Sequence, residues 1–147
     1  MRRIIELGYA DQVRVRYNTN LSYIKDGNTN LYELLQHFPH WEICASLDGT
    51  GEIGEYIRTG LDYNSFISNF KQGIQYSRHP RQMRIDFTLT LPGLFDVANI
   101  VRLVADLDVA LLSKVVFAFS PDIILSPLAL PRALLDKQFH VARRIHR

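Results

Sequence analysis

Cysteine is nearly absent from this sequence. Cys44 is the one cysteine among 147 residues, so the chain forms no intrachain disulfide and offers no CxxC pair to a metal ion. This cysteine lies inside the apolar run WEICASLD, which predicts that its thiol packs as a small hydrophobic group. A single thiolate cannot hold an iron–sulfur cluster.

Long apolar runs and a strong net charge are also missing. No run approaches the length of about 20 apolar residues that a membrane-spanning helix needs, and the N-terminal MRRIIELGYADQ lacks the apolar core of a signal peptide. The net charge is +2, well below the basic excess typical of nucleic-acid-binding domains. We therefore expect a soluble cytoplasmic protein without a nucleic-acid or membrane partner.

Four segments have the pattern of β-strands. Residues 13–20 and 82–92 alternate apolar with polar side chains, whereas residues 41–48 and 114–121 are largely apolar. In the third segment the alternation is strict, with apolar side chains on one face and Arg84, Asp86 and the following threonines on the other.

Helical spacing of apolar residues separates these strands. It predicts helices within residues 31–38, 62–77 and 94–108, a first helix that stops at Gly8, and a last helix that begins near Pro131. Strands that alternate with helices are typical of an α/β fold with a parallel sheet.

Polar residues follow the predicted strands at the points where the strands end. Ligands of parallel α/β sheets bind at the carboxyl ends of the strands, so the sequence predicts a polar ligand at this edge. The residues in question are Asn18, Thr19 and Asn20, then Ser46, Asp48 and Gly49, then Thr88 and Thr90, and finally Ser120.

The segment SLDGT allows an interpretation as a phosphoryl-transfer site. Haloacid-dehalogenase-type phosphatases end a strand in DxDGT, where the first Asp attacks phosphorus and the second is the general acid. Here Ser46 stands at the first position and Asp48 at the second. A serine nucleophile needs an adjacent base, and the neighbouring sequence shows none, so this interpretation is the less favoured one.

A second interpretation draws on more of the chain. RYNTNLS and SLDGTGEIGEYIRTG at two strand ends, the helix DYNSFISNF and the strand TLTLP together resemble the radical SAM enzymes, specifically the group with a twitch-type or SPASM-like C-terminal extension. The resemblance spans about residues 13 to 121. It implies a parallel sheet with alternating helices equivalent to strands three to six, the C-terminal part of a partial (β/α)6 TIM-like barrel.

The resemblance also implies a cofactor site. Ser46 and Asp48 would face the ribose hydroxyls of S-adenosylmethionine, and Arg58 would hold the carboxylate of its methionine part. Asn20 and Thr88 would line the same site. An intact enzyme of this family cleaves S-adenosylmethionine reductively through a [4Fe-4S] cluster, and the resulting 5′-deoxyadenosyl radical abstracts hydrogen from a small-molecule or peptide substrate.

Local structure offers an alternative for each of these residues. Asp48 would form an Asx turn with Gly49, Ser46 would cap a backbone amide, and Arg58 would pair with Glu52 or Glu55 on the surface.

The sequence departs from the family in lacking the CxxxCxxC loop and the GGEP-like strand end of the first two strands. We interpret it as a truncated enzyme that is inactive alone, with a partial core in residues 1–121. Residues 122–147, broken by Pro127 and Pro131, would form a linker and a helix that lead to a missing extension.

Two non-catalytic functions stay open. The chain would be a small α/β module that binds an adenine-containing ligand, or an interaction protein that pairs with another chain at the open sheet edge formed by residues 13–17. Loss of ligand binding in Asp48→Ala without any iron favours the first, and a concentration-dependent dimer favours the second.

Overall fold

The computed structural model describes residues 1–115 and 126–144, with side chains described as far as residue 138. The described strands are β1 (Arg14–Thr19), β2 (Lys25–Asp26), β3 (Thr29–Asn30), β4 (His40–Ser46), β5 (Met83–Leu89) and β6 (Ala110–Val115). The helices are α1 (Arg2–Glu6), α2 (Leu31–Leu35), α3 (Gly51–Ile57), α4 (Tyr63–Tyr76), α5 (Leu91–Leu94), α6 (Val97–Asp106) and α7 (Arg132–Arg144). Short 3₁₀ turns lie at Ala10–Gln12 and Pro127–Ala129.

Four of the strands form one parallel sheet in the order β1-β4-β5-β6. Every pair of neighbouring strands is parallel, and helices occupy each connection between them. The remaining strands, β2 and β3, form a small antiparallel hairpin before α2. The predicted α/β fold, with a parallel sheet and alternating helices, is therefore confirmed.

The helices cover one face of this sheet. Side chains alternate along a strand, and on this face Trp41, Ile43 and Ala45 of β4 are buried beside Met83, Ile85 and Phe87 of β5. They pack with buried side chains of α2, α4 and α6 in a single core, and those side chains are Tyr32, Leu35, Phe66, Phe70 and Ile100. The apolar side of the strict alternation in residues 82–92 is thus the core side.

The opposite face, which we call the charged face, carries ion pairs instead of a core. Glu42 is buried there between three arginines: Arg84 contacts it, Arg14 Nη2 lies 3.6 Å from its Oε2, and Arg16 Nε lies 3.9 Å from the same atom. A hydrogen bond with Cys44, followed by the charges of Cys44 and Glu42, raises the pKa of Arg16. Cys44 is fully buried, as predicted, but its thiol lies on the charged face, 3.8 Å from Glu42 Oε1, and not among the apolar side chains of the core.

On β5 and β6 the charged face continues with a second ion pair. Lys114 Nζ lies 3.1 Å from Asp86 Oδ2, and Asp86 is buried. Glu42 and Asp86 each have a cationic side chain as partner, which is the arrangement that buried charges require.

The fourth predicted strand begins earlier than expected. We predicted a strand over residues 114–121, but β6 begins at Ala110, because α6 ends at Asp106 and the chain turns at Asp108, whose φ is 50°. Aspartate tolerates this left-handed conformation better than most residues. The part of the prediction beyond residue 115 lies outside the described residues.

The third predicted strand ends earlier than residue 92. The hydroxyl of Thr90 accepts a hydrogen bond from the Gly93 amide at 3.1 Å and so begins α5, in which Pro92 occupies the first turn. The helix predicted within residues 94–108 is α6, and α5 precedes it.

Other sequence predictions agree with the structure. α1 ends before Gly8, α4 lies within the predicted range, and α7 begins directly after Pro131. Within the described residues β1 pairs only with β4. It is therefore an edge strand of the sheet, as predicted. No described helix is long and apolar enough to cross a membrane.

Tyr32 makes the stability of this core sensitive to alkaline pH. Its hydroxyl donates a hydrogen bond to the Asn69 carbonyl at 2.8 Å, and burial raises its pKa above the usual value near 10. The unfolded chain then releases this proton first, so we expect the free energy of unfolding to fall once the pH rises above about 10. Urea unfolding at pH 8 and 10.5 measures the decrease.

The variant Tyr32→Phe is the control for this prediction. It should cost about 1 kcal/mol at pH 8 through the lost hydrogen bond, and it should show a smaller decrease at pH 10.5 than the parent chain. An equal decrease in both proteins would assign the alkaline sensitivity to other groups.

Candidate functional site

The candidate site is built around Asp48, two residues after the end of β4. Its carboxylate is buried and accepts two hydrogen bonds: Oδ1 from the Thr88 amide at 3.0 Å and Oδ2 from Arg58 Nε at 2.7 Å. One carboxylate thus joins the carboxyl ends of β4 and β5 to the end of α3. The structure brings together three of the five residues that the sequence predicts for the site.

Arg58 follows the last residue of α3. Its side chain is 30% exposed, and within the described residues its two terminal nitrogens have no partner, because only Nε engages Asp48. A guanidinium fixed at one nitrogen presents the others in a defined plane. This arrangement leaves Arg58 able to bind a carboxylate or a phosphate from solvent.

The surface pairing considered for Arg58 does not form. Oε1 of Glu55 accepts a hydrogen bond from the Tyr63 amide at the start of α4, at 2.9 Å, and Glu52 has no ion pair with Arg58 among the described contacts. The true partner, Asp48, lies ten positions earlier in the chain. The turn between β4 and α3 is what brings the two together.

Two hydroxyl-bearing residues lie at or near the carboxyl ends of β4 and β5. Ser46 is the last residue of β4 and lies opposite Asp86 in the register, and Thr88 lies two residues further along β5. Residues two apart on a strand share a face, so both side chains belong to the charged face. Neither hydroxyl has a hydrogen-bond partner among the described contacts, and both residues are half-buried.

Asn20 lies apart from this group. It is exposed in the turn after β1, where its Oδ1 accepts a hydrogen bond from the Ser22 amide at 3.2 Å. The turn also holds Leu21, which is fully buried at a φ of 50°. The described contacts place Asn20 next to none of the other four predicted residues, and its role as a site residue stays a prediction.

A second buried acid, Asp96, supports the same edge of the sheet. Its Oδ2 accepts a hydrogen bond from the Thr50 amide, and its Oδ1 accepts one from Asn99 Nδ2 at 2.6 Å. Burial, together with the charge of Asp96, raises the pKa of Tyr63. We did not predict this residue, although an aspartate just before the helix VANIVRLVAD is a usual helix-start signal.

Close backbone packing also fixes the loop that carries Asp48. A methyl group added at Gly54 of α3 would overlap the Gly49 carbonyl oxygen, and one added at Gly93 of α5 would lie 2.6 Å from the Asp48 carbonyl oxygen. Both contacts are with backbone atoms, which cannot move aside as a flexible side chain does. The loop is therefore held between α3 and α5.

The residues of this chain do not fit a [4Fe-4S] cluster. Such a cluster needs three thiolates from the protein in this family, and Cys44 is the one cysteine of the chain, buried in the middle of β4. Within residues 1–115 and the described C-terminal part, no group of three histidine, cysteine or acidic side chains is arranged to hold a metal ion.

The donor set does fit the organic cofactor that the sequence suggests. A guanidinium with two unengaged terminal nitrogens suits a carboxylate, and two unengaged hydroxyls suit polar groups such as those of a ribose. Asp48 itself is only 8% exposed and already engages Arg58 and Thr88. Its contacts are those of a residue that positions Arg58.

Comparison with known proteins adds no relative to this description. No family model matches the chain, and no curated protein matches it significantly.

Proposed function

We propose that this chain forms the S-adenosylmethionine-binding part of a radical SAM enzyme. In this proposal Arg58 binds the carboxylate of the methionine part through its terminal nitrogens, and Ser46 and Thr88 line the site with their hydroxyl groups. Asp48 acts as the positioning residue of Arg58. The observation that carries the proposal is the hydrogen bond from Arg58 Nε to the buried Asp48 carboxylate.

The architecture supports a site at this edge. In a (β/α) barrel, neighbouring strands follow chain order, the helices lie on the outer face, and ligands bind at the carboxyl ends of the strands. The four-stranded sheet has sequential order, one helix-covered face and one charged face. In the proposal the charged face is the inner face of a partial barrel.

The proposal limits what this chain does. Radical chemistry of this class depends on a [4Fe-4S] cluster, and the chain has a single cysteine, so the cluster ligands would have to come from elsewhere. The contribution of this chain is to bind and orient the cofactor. Its substrate would be a small molecule or a peptide.

Equilibrium dialysis of radiolabelled S-adenosylmethionine against the purified chain, without iron, tests the proposal. We expect saturable binding that Arg58→Gln weakens about tenfold, because the variant loses a charge-assisted hydrogen bond to the ligand carboxylate. Arg132→Gln on α7, where the side chain is 93% exposed, is the matched control and should bind as the parent chain does. No saturable binding, or equal loss in both variants, would contradict the proposal.

A non-catalytic module for an adenine-containing ligand is the second candidate. The single buried cysteine favours it, since a binding module needs no cluster. Adenosine distinguishes the two candidates because it lacks the carboxylate that Arg58 would bind. Binding of adenosine at least tenfold weaker than that of S-adenosylmethionine supports our proposal, whereas equal affinities support the module.

A further inference from the structure

A cavity opens at the end of the sheet where the strands begin. It has a volume of about 490 Å³ and lies at the amino ends of β1, β4 and β5, whereas Asp48 lies beyond the carboxyl end of β4. Its volume falls within the range of small-molecule sites. Among the residues that line it are Arg14, His40, Trp41, Glu42, Arg81 and Arg84.

The lining of this cavity has an excess of positive charge. Three arginines line it, against the single carboxylate of Glu42. That carboxylate is 6% exposed and already contacts Arg14, Arg84 and also Arg16, which lies outside the cavity lining. Arg81 is exposed and has no ion pair or hydrogen bond among the described contacts. The surplus charge is therefore available to an anion.

Two residues of the lining have a buried hydrogen-bond donor that lacks an acceptor, one on each face of the sheet. The indole Nε1 of Trp41 and the Nε of Arg84 are buried without a hydrogen-bond partner. In the described part of the chain no other buried side-chain nitrogen lacks a hydrogen-bond partner. Both residues line this cavity. A buried donor without an acceptor costs free energy, and such a group in a native structure calls for a ligand or ordered water.

From this combination we infer that the cavity binds a phosphate group. A phosphate carries several strong acceptor oxygens and a charge that guanidinium forks match geometrically. The surplus arginine charge attracts it, and the exposed guanidinium of Arg81 supplies hydrogen bonds to it. The group would be inorganic phosphate or the phosphate ester of a small molecule.

Tryptophan fluorescence offers a direct test, because Trp41 is the only tryptophan of the chain and lines the cavity. Inorganic phosphate is titrated into the full chain at constant ionic strength, with sodium chloride as the comparison salt. We expect a saturable change in emission with phosphate alone. Arg81→Gln should weaken binding about fivefold, since it removes one unpaired cation without breaking an ion pair.

Arg132→Gln is the matched control, because it removes the same charge from the exposed surface of α7, and its affinity should equal that of the parent chain. A parallel titration with glycerol 3-phosphate identifies the source of the group: tighter binding than inorganic phosphate indicates an ester, and equal or weaker binding indicates the free ion. An emission change that chloride reproduces, or equal affinity in Arg81→Gln and Arg132→Gln, would overturn the inference.

Discussion

Replacing Asp48 with alanine is expected to lower the free energy of unfolding by about 3 kcal/mol. The substitution removes the acceptor of two hydrogen bonds, those from the Thr88 amide and from Arg58 Nε. It leaves the Arg58 guanidinium, which is 30% exposed, without its counter-ion. Urea unfolding followed by circular dichroism measures the change.

The same substitution should weaken binding of S-adenosylmethionine about tenfold, as Arg58→Gln does, because Arg58 would no longer be held in one orientation. Asp48→Asn tests this positioning role more finely: its amide oxygen can still accept from Thr88, but the charge that pairs with Arg58 is gone. We expect Asp48→Asn and Arg58→Gln to weaken binding by similar factors, and the double variant to bind no worse than either single variant.

Asp106→Ala is the control for the acidic substitution. Asp106 is exposed at the end of α6, so its replacement should change the free energy of unfolding by no more than about 0.5 kcal/mol. If Asp48→Ala proved as stable as Asp106→Ala, the Asp48 carboxylate would not hold this edge of the sheet together.

Replacing Gly54 with alanine should cost about 3 kcal/mol of stability and should also weaken cofactor binding. The added methyl group would overlap the Gly49 carbonyl oxygen and lie 3.0 Å from the Gly49 carbonyl carbon. Relief of this overlap moves α3 away from the loop that carries Asp48. Because Arg58 follows α3 directly, the ion pair with Asp48 should lengthen.

Gly51→Ala in the same helix separates this packing effect from a purely conformational one. Gly51 has a φ of 49° and open space where a methyl group would be added, so its replacement should cost about 1 to 2 kcal/mol through backbone conformation alone. We expect the folded fraction of Gly51→Ala to bind the cofactor with the same affinity as the parent chain. Equal loss of affinity in the two variants would show that the contact between Gly54 and Gly49 does not position the site.

The main strands and helices could be predicted from the sequence because their apolar periodicity is strong. β1, β4 and β5 each lie within or close to the predicted ranges, and α4 fills its range almost completely. The errors concern places where short polar residues decide the structure. Thr90 ends one strand by capping a helix, and Asp108 makes the turn that lets β6 begin early.

The predicted site residues could be found individually but their contacts could not. Asp48 stood out because it follows an apolar strand, and Arg58 because of the family resemblance, with nearby glutamates as its local alternative partners. Sequence proximity favours such neighbours, whereas the fold turns α3 back so that Arg58 reaches Asp48. The burial of Glu42 and Asp86 on the charged face was likewise not visible, since alternation predicts a polar face without saying that it is shielded.

A titration of the ¹⁵N-labelled chain with S-adenosylmethionine, followed by two-dimensional NMR, tests the central claim most directly. Our account predicts the largest chemical-shift changes at the Arg58 Nε–H resonance and at the amides of Ser46 and Thr88, the groups around Asp48. The amides of Arg81 and Arg84, at the other end of the sheet, should stay unchanged. Shift changes that leave the Arg58 Nε–H resonance and these two amides in place would contradict the account.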